Sequence, residues 1–137
     1  YRIMSAHKSI DIEYNAVGSH YFCKSYRPYL DRISDNIITN AIKFSEYNKT
    51  IYVTLIEKNE TIEVHFKDEG QGMTEEDLKN IFKKYARLSS VPTGGETSTG
   101  LGLFIIKNLA EEIGIKIDVR SEKGKGSTFI LIFKKEY

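Results

Sequence analysis

The sequence predicts an α/β (α+β) two-layer sandwich, a mixed and largely antiparallel sheet covered on one face by about three helices. Three observations carry that expectation. Two pairs of β-patterned runs, residues 50–58 with 61–69 and residues 115–121 with 127–134, are separated by short turns, Asn59-Glu60 and "EKGKG". Three other segments show helical periodicity with start or stop signals. The hairpins impose antiparallel pairing, which excludes an all-parallel doubly wound sheet.

Along the chain, "SIDIEYN" (residues 9–15) alternates polar and apolar side chains and reads as a strand; Gly18 and Ser19 end it, and "HYFCKSY" (20–26) reads as a short second strand. Pro28 suits the first turn of a helix running to about residue 47. On it Ile33, Ile37, Ile38, Ala41, Ile42 and Phe44 share one arc, which packs on a sheet. After the first hairpin, Thr74 followed by Glu75, Glu76 and Asp77 opens a helix to about Tyr85. Residues 88–99 are polar, with Pro92 and two glycines, and read as a loop. A third helix runs from about Gly100 to Ile113 and stops at Gly114.

The chain has 137 residues, 40% hydrophobic and 28% charged, enough to bury the core of a single domain, and no internal repeat divides it. A formal net charge of +1 supplies no electrostatic drive toward nucleic acid or an anionic membrane, so neither is expected as a partner. The one cysteine, Cys23, excludes an internal disulfide and fits a reducing, cytoplasmic setting. No apolar run approaches the roughly 18 residues of a membrane span. The chain begins "YRIMSAHK" without an initiator methionine. It reads as a piece of a longer protein, with residues 1–8 as linker.

Glycine clusters feeding helices often bind phosphate, because the first helical N–H groups lack partners and the dipole favours anions. The stretch "TGGETSTGLGLFIIKNL" (93–109) has that form. Two common phosphate motifs fail. "EKGKGST" lacks the Lys-Ser/Thr order of a P-loop and enters a strand, and no G-x-G site (Gly70/Gly72, Gly100/Gly102, Gly124/Gly126) completes a dinucleotide fingerprint. Another constellation remains. Asn36, Asn40 and Lys43 fall within roughly sixty degrees of one another on a helix of 3.6 residues per turn. "DEGQGM" follows a strand; its glycines admit a flat ligand closely, and Asp68 can accept from an exocyclic amine. Singly, an asparagine pair is ordinary helix surface and D-x-G-x-G an ordinary turn. Their conjunction in this order is specific.

The sequence resembles the ATP-binding catalytic domain of sensor histidine kinases, within the wider group that includes gyrase, the Hsp90 chaperones and MutL, whose ATP-binding fold is of the Bergerat type. "DNIITNAIKFS" resembles the family's N box, "DEGQGM" its G1 box, "IFKKYAR" its F box and "STGLGLFIIKNL" its G2 box, and the likeness covers nearly the whole chain. It implies that Asp68 bonds the adenine amine, helped through water by Thr128, and that Asn40 and Asn36 hold Mg²⁺ through side-chain oxygens. Lys43 would face the phosphates, Phe44 would border the adenine, and Gly70 and Gly72 would shape the pocket floor. Thr99, Gly100, Leu101 and Gly102 would cradle phosphate, with residues 88–99 as a lid and Arg87 stabilising the transferring γ-phosphoryl group. Two positions depart from the family pattern: Glu69 where Asn is usual, and Tyr85-Ala86 for Phe-Tyr.

The resemblance implies a protein-histidine kinase catalytic domain with ATP and Mg²⁺ as cofactors. Hydrolytic relatives carry a glutamate general base where this chain has Asn36, and an amide cannot accept a proton near neutral pH. Asp35 lies about a hundred degrees away around the helix. Transfer to an external acceptor is therefore expected, with Asn36, Lys43 and Arg87 at the reacting phosphate. None of His7, His20 and His65 sits on a helical hairpin. The acceptor is thus expected on a separate or upstream dimerisation domain, with a response-regulator receiver domain next in line. The chain itself would be monomeric, without direct membrane contact, and its parent homodimeric, either soluble or membrane-anchored. The alternatives are a serine kinase of the anti-sigma-factor type and a nucleotide-binding module without activity.

Overall fold

The computed structural model describes residues 10–18, 25–45, 47–84 and 101–135. Expectations that lie outside the described residues are the linker with His7, most of the second short strand with His20 and Cys23, the Tyr85-Ala86 pair, Arg87, and the lid with Thr99 and Gly100. Ser25 and Tyr26, the last two residues of that proposed strand, are not in a strand.

Five strands, β1 (Asp11–Val17), β2 (Thr50–Glu57), β3 (Thr61–Asp68), β4 (Lys116–Ser121) and β5 (Ser127–Lys134), form one sheet in the order β1-β2-β3-β5-β4. Three described helices, α1 (Arg27–Phe44), α2 (Glu75–Asn80) and α3 (Gly102–Glu112), complete the chain order. The mixed sheet is as expected, and its one parallel pair has a definite cause. β1 and β2 are adjacent and parallel, which needs a long crossover, and α1 lies between them in sequence. The other three pairs are antiparallel.

Side chains alternate along each strand, so register sorts them into two faces. Val53, Phe66, Phe129 and Val119 align across the sheet, as do Leu55, Val64, Leu131 and Ile117. These residues belong to or pack on the core, together with Ile33, Ile37, Ile38, Ala41 and Ile42 of α1 and Ile106 and Ala110 of α3. The opposite rows are largely polar: Tyr52, Lys67, Thr128 and Arg120 form one, and Thr54, His65, Ile130 and Asp118 the next. There His65 Nε2 meets Glu63 Oε1, two residues earlier on the same strand, at 2.8 Å.

Helix ends follow local chemistry. α1 carries Pro in its first turn and stops at Ser45; Asn48 then takes a left-handed conformation with φ 64°, so the helix ends before the expected residue 47. α2 is shorter than expected, giving way to a turn over residues 81–84. Its start is a capping box: Asp77 N–H donates to Thr74 Oγ1 and Thr74 N–H donates to Asp77 Oδ2, both at 3.0 Å. α3 ends as read from Gly114, at φ 74°, where Ile115 N–H reaches Ala110 O (3.0 Å) and Gly114 N–H reaches Glu111 O (3.3 Å). No described helix is long and apolar enough to cross a membrane.

Candidate nucleotide-binding site

A pocket opens at the end of the sheet where β3 finishes and β5 begins. Its lining comes from α1 (Asn40, Phe44), from β3 and the loop after it (Asp68, Gln71, Gly72, Met73) and from β5 (Ser127, Phe129), around a narrow cavity of about 20 Å³. Asn40 and Phe44 lie one helical turn apart and so face the same way. Phe129 shares its strand face with the core residues Leu131 and Phe133. The pocket is thus an apolar slot with a polar floor, the usual form of a small-molecule site.

Asp68 is that floor. It is 7% exposed, and the N–H groups of Gly70 (2.9 Å) and Ser127 (3.2 Å) both donate to Oδ1. Oδ2 takes no hydrogen bond from the described residues. Burial raises the carboxyl from 3.8 to about 6, and the two backbone hydrogen bonds offset only part of that rise.

The backbone around Asp68 is held by close approaches that need glycine. A Cβ on Gly70 would lie 2.7 Å from Phe44 O, and one on Gly126, at φ 86°, would lie 2.2 Å from Asp68 O. Hydrogen bonds tie the loop after β3 to the β4–β5 turn: Gly124 N–H donates to Gln71 O (2.7 Å), and Met73 N–H donates to Ser121 Oγ (2.8 Å). Ser121 Oγ in turn contacts Gly126 O and Ser127 Oγ, each at 2.8 Å. The unusual Glu69 turns to the start of β2, where Oε1 accepts from Thr50 N–H at 3.1 Å.

Among the residues singled out from sequence, the structure brings Asn40, Phe44, Asp68 and Gly72 together at the pocket, with Gly70 directly behind. Asn36 and Lys43 are half-buried on α1 but outside the lining, while Leu101 is the N-cap of α3 and Gly102 its exposed first residue. Thr128 lies on the opposite strand face, in register with Lys67 and Arg120; the hydroxyl in the lining is that of Ser127. Sequence reasoning missed Ser127, Gln71, Met73, Phe129, Ser121 and Gly126. "GQGM" and "GKGST" contain most of them, so proximity to the recognised motifs was the available signal.

The family model for histidine kinase-, DNA gyrase B- and HSP90-like ATPases matches residues 26–137. The chain belongs to this ATPase family. Among its relatives is the sensor protein SrrB of Staphylococcus aureus (strain NCTC 8325 / PS 47), 38% identical over 102 residues, a match covering 74% of this chain and 18% of SrrB. The chain therefore spans under a fifth of the curated relatives it matches. Two solved structures share the fold of this ATPase domain. The catalytic domain of histidine kinase ThkA aligns with TM-score 0.80 at 23% identity, over 98% of this chain and 84% of that one; ThkA has also been solved in complex with response regulator protein TrrA. Full-length ShkA in complex with AMPPNP aligns with TM-score 0.76 at 24% identity, over 98% of this chain and 28% of that one. Membership of this ATPase family implies that the domain binds ATP.

Proposed function

We propose that this domain binds Mg-ATP in the pocket above Asp68 and donates its γ-phosphoryl group to a histidine on a separate or upstream dimerisation domain. The observation that carries this is the Asp68 carboxylate. It is buried at the floor of an apolar slot, and one oxygen is left to accept from an adenine amine between Phe44, Met73 and Phe129. Ser127 rather than Thr128 supplies the neighbouring hydroxyl.

The donor set suits magnesium held together with nucleotide. No cluster of three or more His, Cys, Asp or Glu residues able to hold a metal exists among the described residues. The amide oxygens of Asn40 and Asn36 are neutral, and magnesium favours few protein oxygens beside phosphate and water. When bound, Mg²⁺ neutralises charge on the phosphates. Lys43 adds a positive charge on the same helix, and the N-terminal N–H groups of α3, at Gly102 after Leu101, are donors for phosphate oxygens, with Thr99 and Gly100 preceding them. Arg87 is assigned to the transferring group. Asn36 cannot act as a base toward water, which favours phosphotransfer over hydrolysis. A response-regulator receiver domain is the proposed next acceptor, and the chain is proposed to act on the cytoplasmic side as one domain of a homodimeric kinase, with residues 1–8 as linker.

The test is to label the full-length protein carrying this domain with γ-³²P-ATP. Label lost in acid but kept in alkali is expected for phosphohistidine. Acid-stable label would assign a serine or threonine acceptor instead, and release of free phosphate alone would overturn the role given to Asn36.

A further inference from the structure

We infer that Ser121, outside the pocket lining, is a positioning residue that fixes the hydrogen-bond polarity of the pocket and so makes it select a purine with an amine, not a carbonyl, at the 6-position. The inference rests on the nucleotide reading above and concerns how that site discriminates.

A serine hydroxyl has one proton and two lone pairs. Ser121 Oγ has three partners, all at 2.8 Å: Gly126 O, Met73 N and Ser127 Oγ. Gly126 O can only accept, so it takes the Ser121 proton. Met73 N–H can only donate, so it occupies one lone pair. The contact with Ser127 then has one possible direction, with Ser127 donating to the remaining lone pair of Ser121. All hydrogen-bonding capacity of Ser121 is used.

The consequence falls on Ser127, which lines the pocket beside Asp68 and whose own N–H is bound to Asp68 Oδ1. Its only hydroxyl proton is held by Ser121, so toward a ligand it offers lone pairs alone. An ionised Asp68 also offers only lone pairs. The polar floor is therefore acceptor-only. The 6-amine of adenine brings two protons to it; the 6-carbonyl of hypoxanthine brings two lone pairs at that position, its single N–H sits on the neighbouring ring atom N1, and buried acceptors are left opposed to the carbonyl, which costs affinity. Without the Ser121 hydroxyl, Ser127 is free to rotate and donate to that carbonyl.

The experiment compares binding of ATP and inosine triphosphate, each with Mg²⁺, to the wild-type chain, Ser121→Ala, Ser121→Thr, Ser127→Ala and the Ser121→Ala/Ser127→Ala double variant. The wild type should prefer ATP. Ser121→Ala should shift the ATP-to-ITP affinity ratio toward ITP by roughly three- to tenfold, the range of one hydrogen bond. Ser121→Thr, which keeps the hydroxyl, should restore the ratio, and the double variant should match Ser127→Ala because no hydroxyl remains to rotate. Equal weakening of both nucleotides in Ser121→Ala would mean a scaffold role only and overturn the inference. If Ser121→Ala does not fold, Ser127→Ala decides: a ratio unchanged from wild type overturns the inference, and a narrowed one supports it. A wild type that binds neither nucleotide overturns the nucleotide reading itself, an outcome distinct from the others.

Discussion

Asp68 shows how one buried side chain couples stability to binding. A carboxylate removed from water favours its neutral form unless donors compensate, and here two amides on a single oxygen compensate only in part, leaving the group at about 6. Because the folded value is raised, the stability from the protonated form is fully present below the ordinary 3.8 and is lost as pH rises through about 6. Asp68→Asn keeps an oxygen for the two amides and removes the ionisation penalty. It is therefore expected to hold or raise stability at pH 7 in urea melts, while ATP affinity falls roughly ten- to hundredfold. A ligand amine favours the carboxylate, so ATP affinity should also climb between pH 5 and 7, by up to about tenfold per unit below the midpoint. Calorimetric titration across that range checks this, and a slope identical in Asp68→Asn would assign the dependence to other groups. Asp68 was legible because it ends a strand before a glycine turn. The choice between Ser127 and Thr128 was not. Residues 129–133 are apolar at every position, so alternation gives no strand face; pairing of Asp68 with Ser127 decides it.

Elements are bounded here by a few specific residues. The capping box of α2 was readable at its start, and Thr74→Ala should cost about 1 kcal/mol in stability, measured by denaturant midpoint, with ATP affinity little changed. The far end of α2 was not readable, since the acidic first turn says nothing about where the turn over 81–84 takes over. The β4–β5 turn was recognised only as a turn, yet it closes the pocket from behind. Gly126→Ala should destabilise by roughly 1–3 kcal/mol, because the new Cβ meets the Asp68 carbonyl and φ is positive. ATP affinity should fall in the same variant, and an unaltered affinity would mean that the turn does not hold Asp68 in place.

At the scale of the molecule, the sequence announced the two hairpins, a strand before the first helix and one helical layer, but not the full strand order. Hairpins announce their own pairing. β1 instead joins a partner across the whole of α1, and no local signal in "DIEYNAV" says which neighbour it takes or in which direction. Ile10, 4% exposed, anchors the start of β1 in the core, so Ile10→Ala should cost about 2–4 kcal/mol, measured by urea denaturation. A loss below half that would mean that this end of the sheet relaxes around the gap.

Because β1 and β5 point the same way, Asp11 begins at one end of the sheet and Lys134 finishes at the other. Tension applied between the two ends of the chain would therefore run along the strands. It would load whole ladders of backbone bonds at once in shear instead of unzipping them singly, and a pull on the strand entering the fold would reach the pocket around Asp68 as a displacement of the entire sheet.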